Sequence, residues 1–493
     1  MTAKTDLGTL EASGLIQVAA VQPELEYLFR HALVQDAAYS SLLKQDRRAL
    51  HKLAADTLLS LYPDRRRELA AVIAMHFEQA GDAGSAAEHL VVAGEHALER
   101  FAQREAVSFF ARSAELLPAD DSRVDLRLRA AIGGAKAGWT FSGLGGAIEQ
   151  LERAIAIAGD RADQKVLADA YFWVAFLRRL TGESIESSPK LKHALEQGEA
   201  IGEALGDPAA HAIPKAFLGI GVMFNGELRQ GARLLNEALD ELEGRTDALS
   251  TAVLSGFLAI TYARLGEFAA ADRALVRADR FAAQGDEIAR LDSLISRSAI
   301  NLERGDIAEG SALALQCAET SETLGAVSCA VASNVFLGQS RLTLEDALGA
   351  RAPLERGVEL SLVTDMAPMR TLAKGMLGSV RARLGDIPAG DADWNDALGA
   401  AHAGGDHFGE AVTLWGRAIT RVRQGTPDWA AALTDLDSAV ALFDEMEARP
   451  SLARTLRDRA LVLRALSRGV EADDAERRSR EIATQVGLKD FGT

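Results

Sequence analysis

The chain carries 493 residues, 48% of them hydrophobic and only 5% aromatic, with 54 Lys and Arg against 71 Asp and Glu for a net charge of −17. That length exceeds what one core needs, so an array or several domains is expected. So acidic a surface excludes general binding to nucleic acid or anionic membrane while leaving room for a local basic patch, and no apolar stretch is long enough to span a bilayer.

Ala and Leu dominate, and β-branched runs are scarce, which is a helical composition. The first sixty residues stand apart from the rest. Leu15-Ile16-Gln17-Val18 and Glu26-Tyr27-Leu28-Phe29-Arg30 read as short extended runs on either side of Pro23, a two-stranded hairpin or wing. Helical sequence follows from His31 to Tyr39 and from Arg47 to Leu61. On the second of these, Leu50, Leu53, Ala54, Thr57 and Leu58 share one face and predict a buried stripe. Pro63 closes this head, residues 1–62.

Residues 63–160 predict irregular first repeats. Gly81-Asp82 leads into Ala86, Ala87, Leu90 and Ala93, and Ala102, Ala106, Phe109, Phe110 and Ala114 mark a helix closed by Leu117-Pro118. Gly143 to Gly146 is a turn before Ala147, Leu151, Ala154 and Ile155. Residues 161–465 are periodic. Gly226-Glu227, Gly266-Glu267, Gly305-Asp306 and Gly385-Asp386 recur at about forty residues or twice that; Leu344-Glu345-Asp346 replaces one missing Gly, and Gly182-Glu183 and Gly425 extend the series. A fixed period of this length marks stacked repeats.

Each unit reads as a first helix, a left-handed Gly at its end, an acid at the positive end of the next helix, and an Ala-rich second helix such as Ala270, Ala271, Ala274, Leu275 and Ala278. Pro189, Pro388 and Pro427 are placed just inside second helices, with Ser188 and Thr426 as N-caps. Residues 466–493, with their DDAERRSREIATQVG run, form a charged capping helix. The predicted fold class is all-α, a right-handed superhelical solenoid of helical hairpins behind a small N-terminal wing, with first helices on the concave side. Cys317 and Cys329 lack a CxxC partner and are expected as buried reduced thiols. With no signal peptide legible, this points to the cytoplasm.

Two segments carry a resemblance. Phe29 to Leu58, FRHALVQDAAYSSLLKQDRRALHKLAADTL, resembles the end of the winged-helix module in signal-transduction ATPases with numerous domains. His76 to Pro118, HFEQAGDAGSAAEHLVVAGEHALERFAQREAVSFFARSAELLP, resembles the tetratricopeptide-like region that follows it in those proteins. The similarity, over about residues 10–118, is to bacterial proteins that join a class III adenylate/guanylate cyclase domain, an AAA-type ATPase and a repeat tail. Maltose-activator type regulators are similar but end in a DNA-binding domain. The resemblance implies a relay module and a sensor or scaffold tail, working with an ATPase or cyclase domain in cis or in trans. It also implies that the chain is the tail half of a larger architecture.

Catalytic chemistry is hard to find. No G-x-x-x-x-G-K-[ST] occurs, so the phosphate cradle and its Lys are missing and no cofactor is expected. Gly143-Leu144-Gly145-Gly146 shares only glycine content with such a loop. No G-x-S-x-G or H-E-x-x-H appears. His89 with His96, or His402 with His407 around Asp406, could share a metal, but helix-end and loop histidines explain them better. The acid pairs Asp120-Asp121 and Asp391 with Asp393 fall in turns or on exposed faces. Basic runs at Arg47-Arg48, Arg65-Arg66-Arg67, Arg178-Arg179 and Arg477-Arg478 with Arg480 read as solvated faces, and the first 67 residues balance nine Lys and Arg against eight Asp and Glu.

One set recurs in register on first helices: Arg264, Arg383 and Arg423 two residues before the turn position, and Arg381 and Arg421 four before it. Trp173, Arg178, Arg179, Tyr262 and Trp415 lie on the same class of helix. Two readings stand. These residues form a concave groove for an acidic peptide, or the arginines cap first-helix C-termini and pair with acids of neighbouring repeats. The functional expectation is a non-catalytic interaction and regulatory module that binds a protein, a peptide or a small effector. A ligand-sensing tail of the maltose-activator type is the alternative, and an unrecognised enzyme the third reading.

Overall fold

The computed structural model describes residues 3–20, 25–118, 120–185, 187–206, 208–242 and 248–490, so the predicted break at Pro23 lies outside the described residues. The chain divides into two compact units. The first comprises Met1–His96 with Arg112–Pro118. In it, β1 (Ile16–Ala20) and β2 (Glu26–Phe29) pair antiparallel, with Ile16 opposite Phe29 and Val18 opposite Tyr27, which is the predicted hairpin. Helices Ala32–Ser41 and Lys44–Leu61 follow.

The buried stripe of Lys44–Leu61 differs from the predicted one. Leu50 and Leu53 are exposed, whereas Ala55, flanked by Leu58 and Leu59, packs on Ile73, Phe77 and Ala86. Helix Ala70–Ala80 meets only that side, and the small Ala55 side chain lets it come close.

A polar chain crosses the same helices. The Tyr39 hydroxyl lies 2.9 Å from His51 Nε2, and His51 Nδ1 lies 2.8 Å from His76 Nδ1. Burial, and then the charge of His51, lower the pKa of His76 below its ordinary value of 6.5. A lowered folded pKa means that the unfolded chain takes up the proton more readily. The stabilisation is therefore complete above about pH 6.5 and is lost as pH falls through the folded pKa. Urea midpoints measured across pH should show this slope, and His76→Gln should flatten it; an unchanged slope in the variant would assign it to other groups.

The second unit comprises Ala97–Ala111 and Ala119–Thr493. Its hairpins begin with Val124–Gly138 and Leu144–Ala158. Eight more follow among the described residues, from Gln164–Leu180 with Pro189–Leu205 to Arg449–Ala465 with Gly469–Val486. The charged last helix is thus the second member of the final hairpin. One hydrophobic core runs without interruption from Val124 to Leu488. No helix among the described residues is long and apolar enough to cross a membrane. Cys317 and Cys329 are free and buried, and burial pushes the Cys317 thiol up to about 11.

The turn grammar holds, with two departures. Gly182, Gly226, Gly266, Gly305 and Gly385 are left-handed, and Glu345 takes the same conformation at φ 66° where the Gly is missing. Ser188 caps its helix, its hydroxyl accepting the Leu191 N–H at 3.1 Å. Gly425, however, is not among the left-handed residues. The first helix there ends at a right-handed Arg423, and a longer connection runs on to Asp428. That extra length leaves Pro427 ahead of its helix, and Asp428 rather than Thr426 is the cap, accepting the Ala431 N–H at 2.9 Å. A second left-handed series ends the second helices: Gly206, Gly325, Gly405, Gly487 and, without glycine, Asp365.

The solenoid coils tightly enough for residues about 220 positions apart to touch. Arg179 Nη1 donates to the Gly404 carbonyl at 2.9 Å, and Arg229 chelates Glu447 at 2.9 to 3.2 Å. The Arg104 guanidinium donates to the Leu324 carbonyl at 2.6 Å. The turns at Gly182, Gly226, Gly266 and Gly305 face Ala367, Met446, Val486 and Asp490 of the next coil. The loop that shared glycines with a phosphate cradle has the same use. Gly143 caps helix Leu144–Ala158, and the Gly145 amide meets the Asp365 carboxylate at 3.4 Å, an anion at a helix N-terminus.

Candidate functional site

A cleft of about 490 Å³ opens along four successive first helices, Val327–Thr343, Ala367–Arg383, His407–Val422 and Arg449–Ala465. Their stacking brings one face of each into line, as a solenoid requires. Met376, Val412, Ile419 and Val422 supply apolar wall, and Leu461 stands 58% exposed at its edge. Four arginines, Arg383, Arg423, Arg454 and Arg457, face three carboxylates, Glu345, Asp458 and Asp490. In a chain of net charge −17 this small positive excess is a local inversion.

Glu345 organises one end. Its carboxylate takes Arg383 Nη1 at 3.2 Å and also pairs with Arg423, joining three consecutive repeats through one side chain. It does so from a left-handed backbone, which costs a non-glycine residue about 1 kcal/mol or more and is tolerated where the surroundings over-determine it. Arg383 is only partly satisfied: its Nε is buried without a hydrogen-bond partner among the described residues. Burial, followed by the charge of Arg423, lowers the pKa of its guanidinium. An incoming anion would relieve both effects.

The other end is held by Trp415, whose indole N–H donates to Asp458 Oδ2 at 2.7 Å while its ring meets Phe443 edge-on at 6.3 Å. Burial raises the Asp458 carboxyl above the usual carboxylate range, against the pull of the Trp415 N–H. Arg454 is buried and pinned, with Asp490 at 2.7 and 3.1 Å and the Glu303 carbonyl at 2.9 Å.

Of the residues singled out from sequence, the structure gathers Arg383, Trp415 and Arg423 in this cleft. The others lie elsewhere. Arg381 pairs with Asp393 at 2.7 Å and Arg421 with Asp435 at 2.7 Å, each reaching across its own hairpin. In the same forty-residue register Arg341 Nη1 donates to the Gly349 carbonyl at 2.7 Å; Pro353, four residues further on, has no N–H to offer that carbonyl. Arg178 is buried between Glu152 and Glu183. Arg179 bonds to Asn225 Oδ1 and lies over the Phe224 ring, and Arg264 lies 3.7 Å over Phe408 of the next coil. Trp173 is buried against Phe176, and Tyr262 is half-buried, its hydroxyl pKa raised by that burial. No group of three or more His, Cys, Asp or Glu among the described residues could hold a metal ion.

No protein-family model matches the chain, and no curated protein does. Solved structures do. A Rap protein complexed with Competence and Sporulation Factor superposes with a TM-score of 0.56 at 12% identity, over 74% of this chain and 99% of that one. The APC/C hetero-tetramer Cut9-Hcn1 gives 0.50 at 13% identity, over 92% of this chain and 88% of that one. The chain folds as a tetratricopeptide-like solenoid. A Pyrococcus horikoshii signal-transduction ATPase with a tetratricopeptide sensor also matches, at 15% identity over 82% of this chain and 59% of that one, with a TM-score of 0.47.

Sequence reasoning missed Glu345, Arg454, Arg457 and Asp458 as members of the site. Only Glu345 left a signal, as an acid standing where the other repeats have Gly.

Proposed function

We propose that this tetratricopeptide-like chain is a non-catalytic binding and regulatory module, and that its cleft takes an acidic segment of a protein or peptide partner. The observation that carries this is the buried Arg383 Nε, without a hydrogen-bond partner among the described residues, beside Arg423 and Trp415 in a groove with apolar walls. Arginine offers an acidic chain charge-assisted, two-pronged bonds, and an aromatic neighbour adds contact area. The Rap comparison supports the reading by fold only: that solenoid was solved with Competence and Sporulation Factor in complex.

The first unit completes the proposal. Leu28, Leu33, Leu43, Leu53 and Leu61, on the wing and the two helices after it, are each more than half exposed, and such apolar side chains are candidates for a covering partner. An ATPase or cyclase output domain, in cis or in trans, would cover them, with the wing and helices Ala32–Ser41 and Lys44–Leu61 acting as the relay.

Fluorescence polarisation with labelled peptides built from Glu, Asp and Leu tests the cleft. Binding should weaken by about tenfold or more in Arg423→Glu and in Trp415→Ala. No binding to the unmodified protein, or equal binding to Arg423→Glu, would overturn the assignment. Appreciable ATP hydrolysis or cyclic-nucleotide formation by the purified chain would overturn the non-catalytic reading.

A further inference from the structure

A second cavity, of about 100 Å³, lies inside the coil and shares no lining residue with the cleft. First helices of successive hairpins enclose it with Trp139, Phe224, Phe257, Phe336, Met366 and Met369. Its walls are almost wholly apolar. Ser328 is among the few polar exceptions, and its hydroxyl already donates to the Trp139 carbonyl at 2.8 Å. The exception that stays open is Asp292. Its Oδ2 is sealed from solvent and has no hydrogen-bond partner among the described residues, and the same holds for Ser296 Oγ.

Gly256 has no side chain, so these two atoms pack directly against its backbone. A Cβ there would lie 2.4 Å from Asp292 Oδ2 and 2.9 Å from Ser296 Oγ. Burial holds the Asp292 carboxyl well above the usual carboxylate range, and the charge acting on it is another carboxylate, Asp286, not a cation. The ionised form is disfavoured in such a place, so the group keeps its proton unless a cation pairs with it.

We propose that this cavity is a binding site for a small organic ammonium compound, its cationic head on Asp292 and its apolar body among the aromatic and Met side chains. The chemistry matches on both counts. A carboxylate neutralises an ammonium directly, and aromatic faces attract cations through the ring quadrupole as well as burying carbon. The site is independent of the proposed peptide cleft, so the failure of either leaves the other standing.

Benzylamine and its neutral isostere ethylbenzene, titrated into the full chain by calorimetry, provide the test. Benzylamine should bind one to one and ethylbenzene at least about tenfold more weakly, the range expected of a buried charge-assisted pair. Asp292→Asn should remove that preference for the amine while ethylbenzene binding stays the same. Ala332→Leu, which fills the cavity from its wall, should abolish both. The helical circular-dichroism signal establishes that each variant is folded; if Asp292→Asn is not, Ala332→Leu alone decides. No benzylamine binding to the unmodified protein, unchanged preference in Asp292→Asn, or unchanged binding in Ala332→Leu would overturn the assignment.

Discussion

Replacing Trp394 with alanine should lower the stability of the second unit by about 3–5 kcal/mol, the range for deleting a fully buried large aromatic. Trp394 is 1% exposed and sits on the second helix Ile387–Gly404. Its indole N–H donates to Ser379 Oγ at 3.3 Å, and its ring covers Gly378 so closely that a Cβ there would lie 2.7 Å from Cδ1. The crossing is tight because Gly378 and Gly390 face each other: a Cβ on either would lie within 2.9 Å of the other's carbonyl oxygen. Alanine at 394 would leave a cavity the size of an indole that two helices already in backbone contact cannot close. Urea denaturation followed by far-UV circular dichroism measures the effect. A loss below about 1 kcal/mol would mean that the hairpin relaxes into the space and that the crossing is not set by this side chain.

Gly305→Ala should cost roughly 2–4 kcal/mol, well above what its turn alone explains. The turn contributes about 1–2 kcal/mol, because φ is 97° and an L side chain is strained there. The remainder comes from the next coil. A Cβ at 305 would lie 2.7 Å from the backbone nitrogen of Asp490, which cannot swing away as a side chain would. Around that point Lys489 N donates to the Arg304 carbonyl at 3.0 Å, Lys489 Nζ meets Asp306 at 2.7 Å, and Asp490 holds Arg454. Gly385→Ala is the internal control, since its φ is also 97° and nothing lies within 4 Å of the added carbon. Equal losses in the two variants would show that contact between coils adds nothing; a larger loss at 305 measures that contact.

The same pair of glycines shows how far sequence reading reaches. Both were legible as left-handed turns from their period and the acid after them. Nothing local distinguishes them, because the difference lies in Asp490, whose chain distance from 305 carries no periodic signal. Leu50 and Leu53 illustrate the limit from the other side: an apolar stripe can be read from spacing, but which stripe is buried depends on where helix Ala70–Ala80 arrives. Gly425 illustrates it again, since its place in the series was right and the longer connection to Asp428 made the left-handed turn unnecessary.

The arginine ladder divides in the same way. Its register was readable, and members such as Arg381, Arg421, Arg383 and Arg423 pair with acids of their own or neighbouring repeats. Which of them line a cleft was not readable. Arg454 and Asp490 join that cleft through contacts with Glu303 and with the end of the chain, and the Asp292 cavity closes only when first helices from Trp139 to Met369 are wound into one coil.

By itself, the sequence determined the helical hairpin, its forty-residue period, most of its capping chemistry and the N-terminal β-hairpin. These depend on φ preferences, hydrogen bonding and apolar spacing within a few turns of chain. The tertiary structure alone decided the contacts between coils, the partners of each turn glycine and the lining of the two sites. These depend on residues about 220 positions apart, whose approach is set by the summed small rotations of every hairpin between them.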